Sequence, residues 1–218
     1  MKLTEDQLQE LAAQLRCPDG ENGLKVGEMM NFTNSNIIHK TIKSLNLKDN
    51  DTILEIGPGN GVHVKDILST NKSVIYTGID ISGTMVAEAQ KLNEGVPNVS
   101  FHLTDGDHIP FGDNNFTKIF TDNTIYFWSQ PKAYANEIVR VLQPGGLISI
   151  GFIPKSTMQK IPFAKYGFTL YDTEAVTALL TAAGLEVQNV LAETEMVMSN
   201  SGEQIEREFV VMTAKKIK

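Results

Sequence analysis

Apolar positions recur along this chain with two different periods. Leu8, Leu11, Ala12 and Leu15 fall at helical spacing and predict an amphipathic helix over residues 4–16 with a polar outer face. Cys17-Pro18-Asp19-Gly20-Glu21-Asn22-Gly23 reads as a break. Helical period returns from Met29 to Leu45 through Ile38, Ile42 and Leu45. From Asp51 short apolar runs alternate with helical stretches. Strands are predicted at Thr52–Ile56, Val74–Ile79, Val99–Leu103, Phe116–Thr121 and Leu147–Ile153. Between them come helices at Val62–Leu68, after Ser82 (Met85, Val86, Ala89 and Leu92 inward) and from Pro131 (Tyr134, Ile138 and Leu142 inward). Gln143-Pro144-Gly145-Gly146 reads as a turn before the last of these strands. After a loop with Pro154 and Pro162, a helix starts at Asp172, buries Val176, Leu179, Leu180 and Ala183, and stops at Gly184. Leu185–Val197 and Glu203–Lys215 flank Ser199-Asn200-Ser201-Gly202 as a terminal hairpin. The pattern predicts an α/β fold: a doubly wound, mostly parallel seven-stranded sheet with an antiparallel C-terminal hairpin and helices on both faces.

Composition narrows the picture in three ways. A chain of 218 residues favours one core over two. A net charge of −7 argues against nucleic acid as the main partner. One cysteine provides neither a disulfide framework nor a cysteine-based metal site, and the four histidines lack metal-ligand spacing, so no metal is expected. Neither a leader nor an apolar run near the length of a membrane span is evident, which predicts a cytoplasmic protein without membrane association. Nothing in the pattern sets an oligomeric state. Cys17 reads as a packed or idle thiol.

The candidate chemistry centres on Ile53-Leu54-Glu55-Ile56-Gly57-Pro58-Gly59-Asn60-Gly61, an apolar strand running into a glycine loop and then a helix. Glycine lets backbone approach a ligand closely, and the next helix N-terminus offers unpaired N–H groups. The spacing Gly57-x-Gly59-x-Gly61 brings the third glycine one residue too early for the dinucleotide fingerprint, and no Gly-Lys-Ser/Thr follows for a P-loop. Glu55 sits in the strand where an apolar residue is expected. It either caps loop N–H groups or meets a cationic ligand group such as an ammonium. Ligands of such sheets bind at the carboxyl ends of the strands. There Asp80 ends the second strand and can accept from ribose hydroxyls, or else serves as a helix cap. Asp105 follows the third strand, either accepting from an exocyclic amine or forming a turn with Gly106. Thr121, Asp122 and Asn123 follow the fourth. The stretch Met29-Met30-Asn31-Phe32-Thr33-Asn34 reads as a lid over the loop or as the polar entry of an ordinary amphipathic helix.

Four segments in order resemble the successive motifs of class I S-adenosylmethionine-dependent methyltransferases, and within them the small-molecule branch that includes ubiquinone and menaquinone biosynthesis enzymes. They are Leu54–Gly61, Gly78-Ile79-Asp80-Ile81-Ser82, Asp105 with Ile109-Pro110-Phe111, and Arg140-Val141-Leu142-Gln143-Pro144-Gly145-Gly146. The resemblance covers about residues 50–155 and implies the Rossmann-like fold of that family. It also implies one methyltransferase domain over 1–218: a helical lid segment at 1–48, the cofactor core at 50–155, a variable loop at 154–170, and the last helix and hairpin at 171–218. The implied cofactor is S-adenosylmethionine, with S-adenosylhomocysteine as product and a small molecule as acceptor. Gly57, Gly59 and Gly61 would line its methionine part, with Glu55 nearby. Asp80 would take the ribose hydroxyls, Ile81 the adenine face and Met85 the space behind it. Asp105 and Gly106 would hold the adenine edge, and Thr121 to Asn123 would lie along the methionine moiety. Tyr126 is the leading candidate for a catalytic group, with His39, His63 and His108 as other candidate bases, and Tyr126 and Trp128 either touch substrate or cover the core edge. His63 reads as a loop-facing polar residue rather than a base. Thr121-Asp122-Asn123-Thr124 departs from the Asn/Asp-Pro-Pro-Tyr run of adenine and glutamine amino-methyltransferases and from the Pro-Cys of cytosine-C5 enzymes. Phe152-Ile153-Pro154 departs from the metal-binding pattern of catechol-type enzymes. A non-catalytic cofactor-binding regulatory module stays open as an alternative; a nicotinamide-dependent oxidoreductase is opposed by the glycine spacing.

Overall fold

Thr52–Ile56 (β1) carries Ile53, Leu54 and Ile56 because both of its faces are covered. Ile53 packs into one apolar cluster with Tyr76, Phe101 and Phe120, while Leu54 and Ile56 pack into another with Ile119, Ile150 and Phe152. Successive side chains of a strand point to opposite faces, so a strand buried on both sides reads as a continuous apolar run. The structure is a computed structural model and describes residues 3–70, 73–198 and 204–218. The predicted turn at Ser199–Gly202 lies outside the described residues.

β1 pairs in parallel with β2 (Ile75–Asp80) on one side and β4 (Phe116–Asp122) on the other. Outside these lie β3 (Val99–Leu103) against β2 and β5 (Leu142–Phe152) against β4, both parallel. β7 (Gln204–Lys216) inserts antiparallel between β5 and β6 (Leu185–Met198). The order β3-β2-β1-β4-β5-β7-β6 is the doubly wound sheet with an antiparallel end that the pattern predicts. Its direction of winding reverses between β1 and β4, which opens a crevice at the carboxyl ends of those strands.

The helices are α1 (Glu5–Arg16), α2 (Gly20–Ser44), α3 (Val64–Thr70), α4 (Gly83–Leu92), α5 (Pro131–Val141), the single turn α6 (Lys155–Met158) and α7 (Thr173–Ala182). Their starts follow local chemistry. Thr4 and Gln7 form a reciprocal capping box on α1, Ser82 accepts from the Met85 N–H at 3.0 Å, and Asp172 accepts from the Ala175 N–H at 2.8 Å. At the other end of α5, Lys216 Nζ donates to the carbonyls of Val139 and Leu142, each at 2.7 Å, and so ties β7 to that helix.

Two expectations are corrected. α2 begins at Gly20, not Met29, and only Cys17-Pro18-Asp19 remain outside the helices. Its glycines serve close packing: a Cβ on Gly23 would stand 2.6 Å from the Pro18 carbonyl carbon, and one on Gly27 3.0 Å from Met85 Sδ. Helix propensity penalises glycine by about 1 kcal/mol against alanine, and tertiary contact overrides it here. Second, Gln143–Gly146 is not a free turn but an irregularity within β5. Leu142 already pairs with Phe116, and the register shifts before Lys118 meets Leu147.

Candidate active site

The glycine loop occupies the crevice between β1 and β4. Gly57, Gly59 and Gly61 all have positive φ (76°, 57° and 63°), a conformation that other residues resist. Their surroundings differ. A Cβ on Gly57 would strike Thr124 Cγ2 at 2.4 Å, whereas one on Gly59 would meet nothing, since Gly59 faces open space. Both line a cavity of about 230 Å³. Gly61 does not line it. It packs under Phe101 and Ala89, and its carbonyl accepts from Asn93 Nδ2 at 3.1 Å, so it joins the loop to α4 rather than facing a ligand.

Asp80 stands at the end of β2, buried beside this loop. One carboxylate oxygen accepts from the Ser82 N–H at 2.9 Å and the other from the Gly59 N–H at 3.2 Å. Burial pushes its carboxyl up to about 6, against the pull of those N–H groups. The helix cap is Ser82, so Asp80 braces the loop and faces the cavity. Ile81, Met85 and Gly106 continue the wall; a Cβ on Gly106 would collide with Ile81 Cγ2 at 2.8 Å. Asp105 lines the cavity too, but its Oδ1 accepts from the N–H groups of Asp107 and His108, each at 2.9 Å, in an exposed turn. These backbone donors hold its carboxyl below the usual range.

Glu55 has partners that neither expectation named. Its Oε2 lies 2.8 Å from His63 Nε2 and accepts from the Tyr76 hydroxyl. Burial alone would push the His63 imidazole down, and the Glu55 carboxylate overrides it, leaving it above its ordinary value. Both Glu55 and His63 line the cavity. Next to them Asp122 is half-buried. Its Oδ1 accepts from Thr41 Oγ1 at 2.6 Å, while its Oδ2 has no partner among the described residues. Burial pushes this carboxyl up to about 7, with the Thr41 hydroxyl pulling the other way. The site exists because Gly151 has no side chain: a Cβ there would sit 1.9 Å from Asp122 Oδ1. The Asp122–Thr41 pair is a feature that the pattern of the sequence does not reveal, since Thr41 is simply one polar position on a long helix.

Of the segment after β4, Asp122 and Asn123 line the cavity and Thr121 does not. Thr121 lies behind the wall, its hydroxyl donating to the Ile56 carbonyl at 2.7 Å. Tyr126 is buried, and its hydroxyl is engaged by the backbone: it accepts from the Ile153 N–H at 2.5 Å and lies 3.1 Å from Asn123 Oδ1. Burial pushes the phenol above the usual tyrosine range. Its hydroxyl proton is directed at Asn123 Oδ1 and the Ile153 carbonyl, which fixes the ring against the end of β5. Trp128 lines the cavity and donates to Thr124 Oγ1 at 3.3 Å. His39 and His108 line neither this cavity nor the one beside it. The Met29–Asn34 stretch is ordinary helix, yet it also covers the loop, since Asn31 Nδ2 donates to Asn60 Oδ1 at 2.8 Å.

A second cavity of about 590 Å³ adjoins the first. The two share Leu15, Met30, Asn34, Asn123 and Phe127 as common walls.

A doubly wound seven-stranded sheet with a glycine loop at its switch point and an acidic residue closing the second strand is the architecture of Rossmann-like methyltransferases. Residues 54–150 match the family described as a methyltransferase domain. A putative methyltransferase of Bacillus subtilis, YrhH, is 38% identical over 113 residues, covering 50% of this chain and 62% of that protein. A demethylmenaquinone methyltransferase of Tropheryma whipplei is 31% identical over 108 residues, covering 50% of this chain and 44% of the relative. The chain thus spans about half the length of the curated relatives it matches. Among solved structures, a putative methyltransferase in complex with the Haloferax volcanii Trm112 activator superposes with TM-score 0.76 at 16% identity, covering 99% of this chain and 100% of that one. A methyltransferase from Aquifex aeolicus gives 0.66 at 22% identity, with 99% and 100% covered. Among the described residues no cluster of side chains is placed to hold a metal, and no helix is long and apolar enough to cross a membrane.

Proposed function

We propose that this chain catalyses methyl transfer from S-adenosylmethionine to a small-molecule acceptor by in-line displacement. The observation that carries this reading is the junction of two cavities, one built by the glycine loop and Asp80, the other opening from it across Asn34, Asn123 and Phe127. The residues present suit an adenosyl cofactor. Asp80 offers carboxylate oxygens to ribose hydroxyls, and Ile81 and Met85 give the wall beside it an apolar surface suited to a base. The partnerless Asp122 oxygen beside Glu55 offers negative charge to an ammonium group. When bound, the cofactor supplies an activated methyl group on a sulfonium.

The chain's own contribution is alignment and exclusion of water. Positioning two reactants well is worth roughly 7–11 kcal/mol. Asn123 is suited to align them. Its N–H donates to the Gly151 carbonyl at 2.9 Å, its side chain is held by Tyr126, and it borders both cavities. Tyr126 acts through Asn123 and Ile153 as a positioning residue. The test is calorimetric titration with S-adenosylmethionine and S-adenosylhomocysteine, with NAD as control. Micromolar binding of the first two and none of NAD is expected; NAD binding, or silence toward all three, would overturn the reading.

A further inference from the structure

The second cavity differs in chemistry from the first. Its walls come from α1, α2, the segment 158–168 and the outer ends of β6 and β7, and they are mostly apolar, with Met29, Met158, Ile161, Phe163, Phe168 and Ile205 among them. Phe168 packs edge-on against Phe127 at 4.6 Å between ring centres and lies 5.7 Å from Phe163, so one side of the cavity is an aromatic wall. No aspartate or glutamate is among the described lining residues, so none of these residues would compensate a buried cation. Two cations are present. Arg207 is already satisfied: its guanidinium donates to Glu195 Oε1 at 2.6 and 3.0 Å, to the Thr33 carbonyl at 2.6 Å and to Asn34 Oδ1 at 3.2 Å. Lys160 is exposed, at the rim. The amides of Asn34 and Asn123 stand where this cavity meets the cofactor cavity, each with its oxygen engaged by Arg207 or Tyr126 and its Nδ2 group as a donor.

We infer that the methyl acceptor is an uncharged amphiphile: an alkyl or ring-bearing apolar body seated against the Phe163–Phe168 wall, with one polar, methyl-accepting group held at the Asn34–Asn123 junction. This inference rests on the methyl-transfer reading and deepens it. The continuity of the two cavities is what commits the apolar space to the acceptor, because a reacting atom has to reach the glycine-loop cavity while the rest of the molecule stays outside it. Polar metabolites such as amino acids or sugars would leave this surface uncovered and their own polar groups unpaired. The acceptor is selected by its apolar body and oriented by its single polar end.

The test uses the intact chain and a series of 4-alkylphenols from methyl to octyl, with affinities measured by displacement of Nile red and S-adenosylhomocysteine binding measured in parallel. Affinity should rise about fourfold per added methylene, the increment for burying one such group, and level off when the cavity is filled. Phe163→Asp should weaken octylphenol at least tenfold while leaving S-adenosylhomocysteine affinity within twofold, since Phe163 lines only the second cavity. Ile205→Asp, at a more exposed position, should act in the same direction and guards against a folding defect in the first variant. Affinity indifferent to chain length, or unchanged in both variants, would overturn the inference. Alkylphenol binding without any S-adenosylhomocysteine binding would instead overturn the cofactor reading, so the two failures are told apart.

Discussion

Asp80 and Asp122 hold their protons to unusually high pH, and both face the cavity assigned to the cofactor. Ribose hydroxyls and an ammonium favour the ionised carboxylates. Cofactor affinity should therefore be full above about pH 8 and fall as pH drops through about 7 and then about 6, by up to tenfold per pH unit for each group that must lose a proton. Calorimetry between pH 5 and 8 measures this. Asp80→Asn should remove the lower step and Asp122→Asn the upper one, and a flat profile in the unmodified protein would contradict both assignments. The same two groups act on stability with the opposite dependence. Their folded-state values lie above those of an unfolded aspartate, so this contribution is complete below about pH 4 and is lost as pH rises through about 6 and 7. A tenfold difference in proton affinity between folded and unfolded chain corresponds to about 1.4 kcal/mol. Relative to the unmodified protein, Asp122→Asn should gain stability between pH 4 and 7 in urea titrations.

Among the elements, α2 behaves against its propensity. Replacing glycine by alanine within a helix ordinarily stabilises by about 1 kcal/mol. At Gly23 the added Cβ would stand 2.6 Å from the Pro18 backbone, which cannot move aside as a flexible side chain can. Gly23→Ala should therefore lower the melting temperature, and an increase would show that the α1–α2 junction yields easily. The start of α1 follows the ordinary rule. Thr4→Ala removes the capping box and should cost about 1 kcal/mol in chemical denaturation, without altering cofactor affinity. The apolar runs made β1, β2, β4 and β5 legible in the sequence because burial on both faces leaves little room for polar residues. The start of α2 was not legible, because Gly20, Gly23 and Gly27 carry the same letters whether they break a helix or let it pack closely.

At the scale of the molecule, the carboxyl ends of the central strands, α2 and the loops after β3 and β4 close on one cavity, so a ligand there bridges elements distant in sequence. Saturation with S-adenosylhomocysteine at about a hundred times its dissociation constant should stabilise the fold by about 2.7 kcal/mol. For a chain of this length that is a rise of roughly 5–10 °C in melting temperature. Thermal denaturation checks it, and Asp80→Ala should abolish most of the rise. The sequence by itself determined the doubly wound sheet, the glycine loop, Asp80 at the strand end and the methyltransferase resemblance, because each depends on local period, backbone freedom or a fixed place along one strand. Only the tertiary structure decided which of those residues face the cavity. It turned Gly61 toward Phe101 and Thr121 toward Ile56, paired Glu55 with His63 and Tyr76, and engaged Tyr126 with Ile153. It also set the orphan oxygen of Asp122 beside Thr41, and the apolar chamber beside the cofactor cavity. Those outcomes depend on contacts between segments far apart along the chain, and the direction in which a polar side chain finds its partner is fixed only when the layers come together.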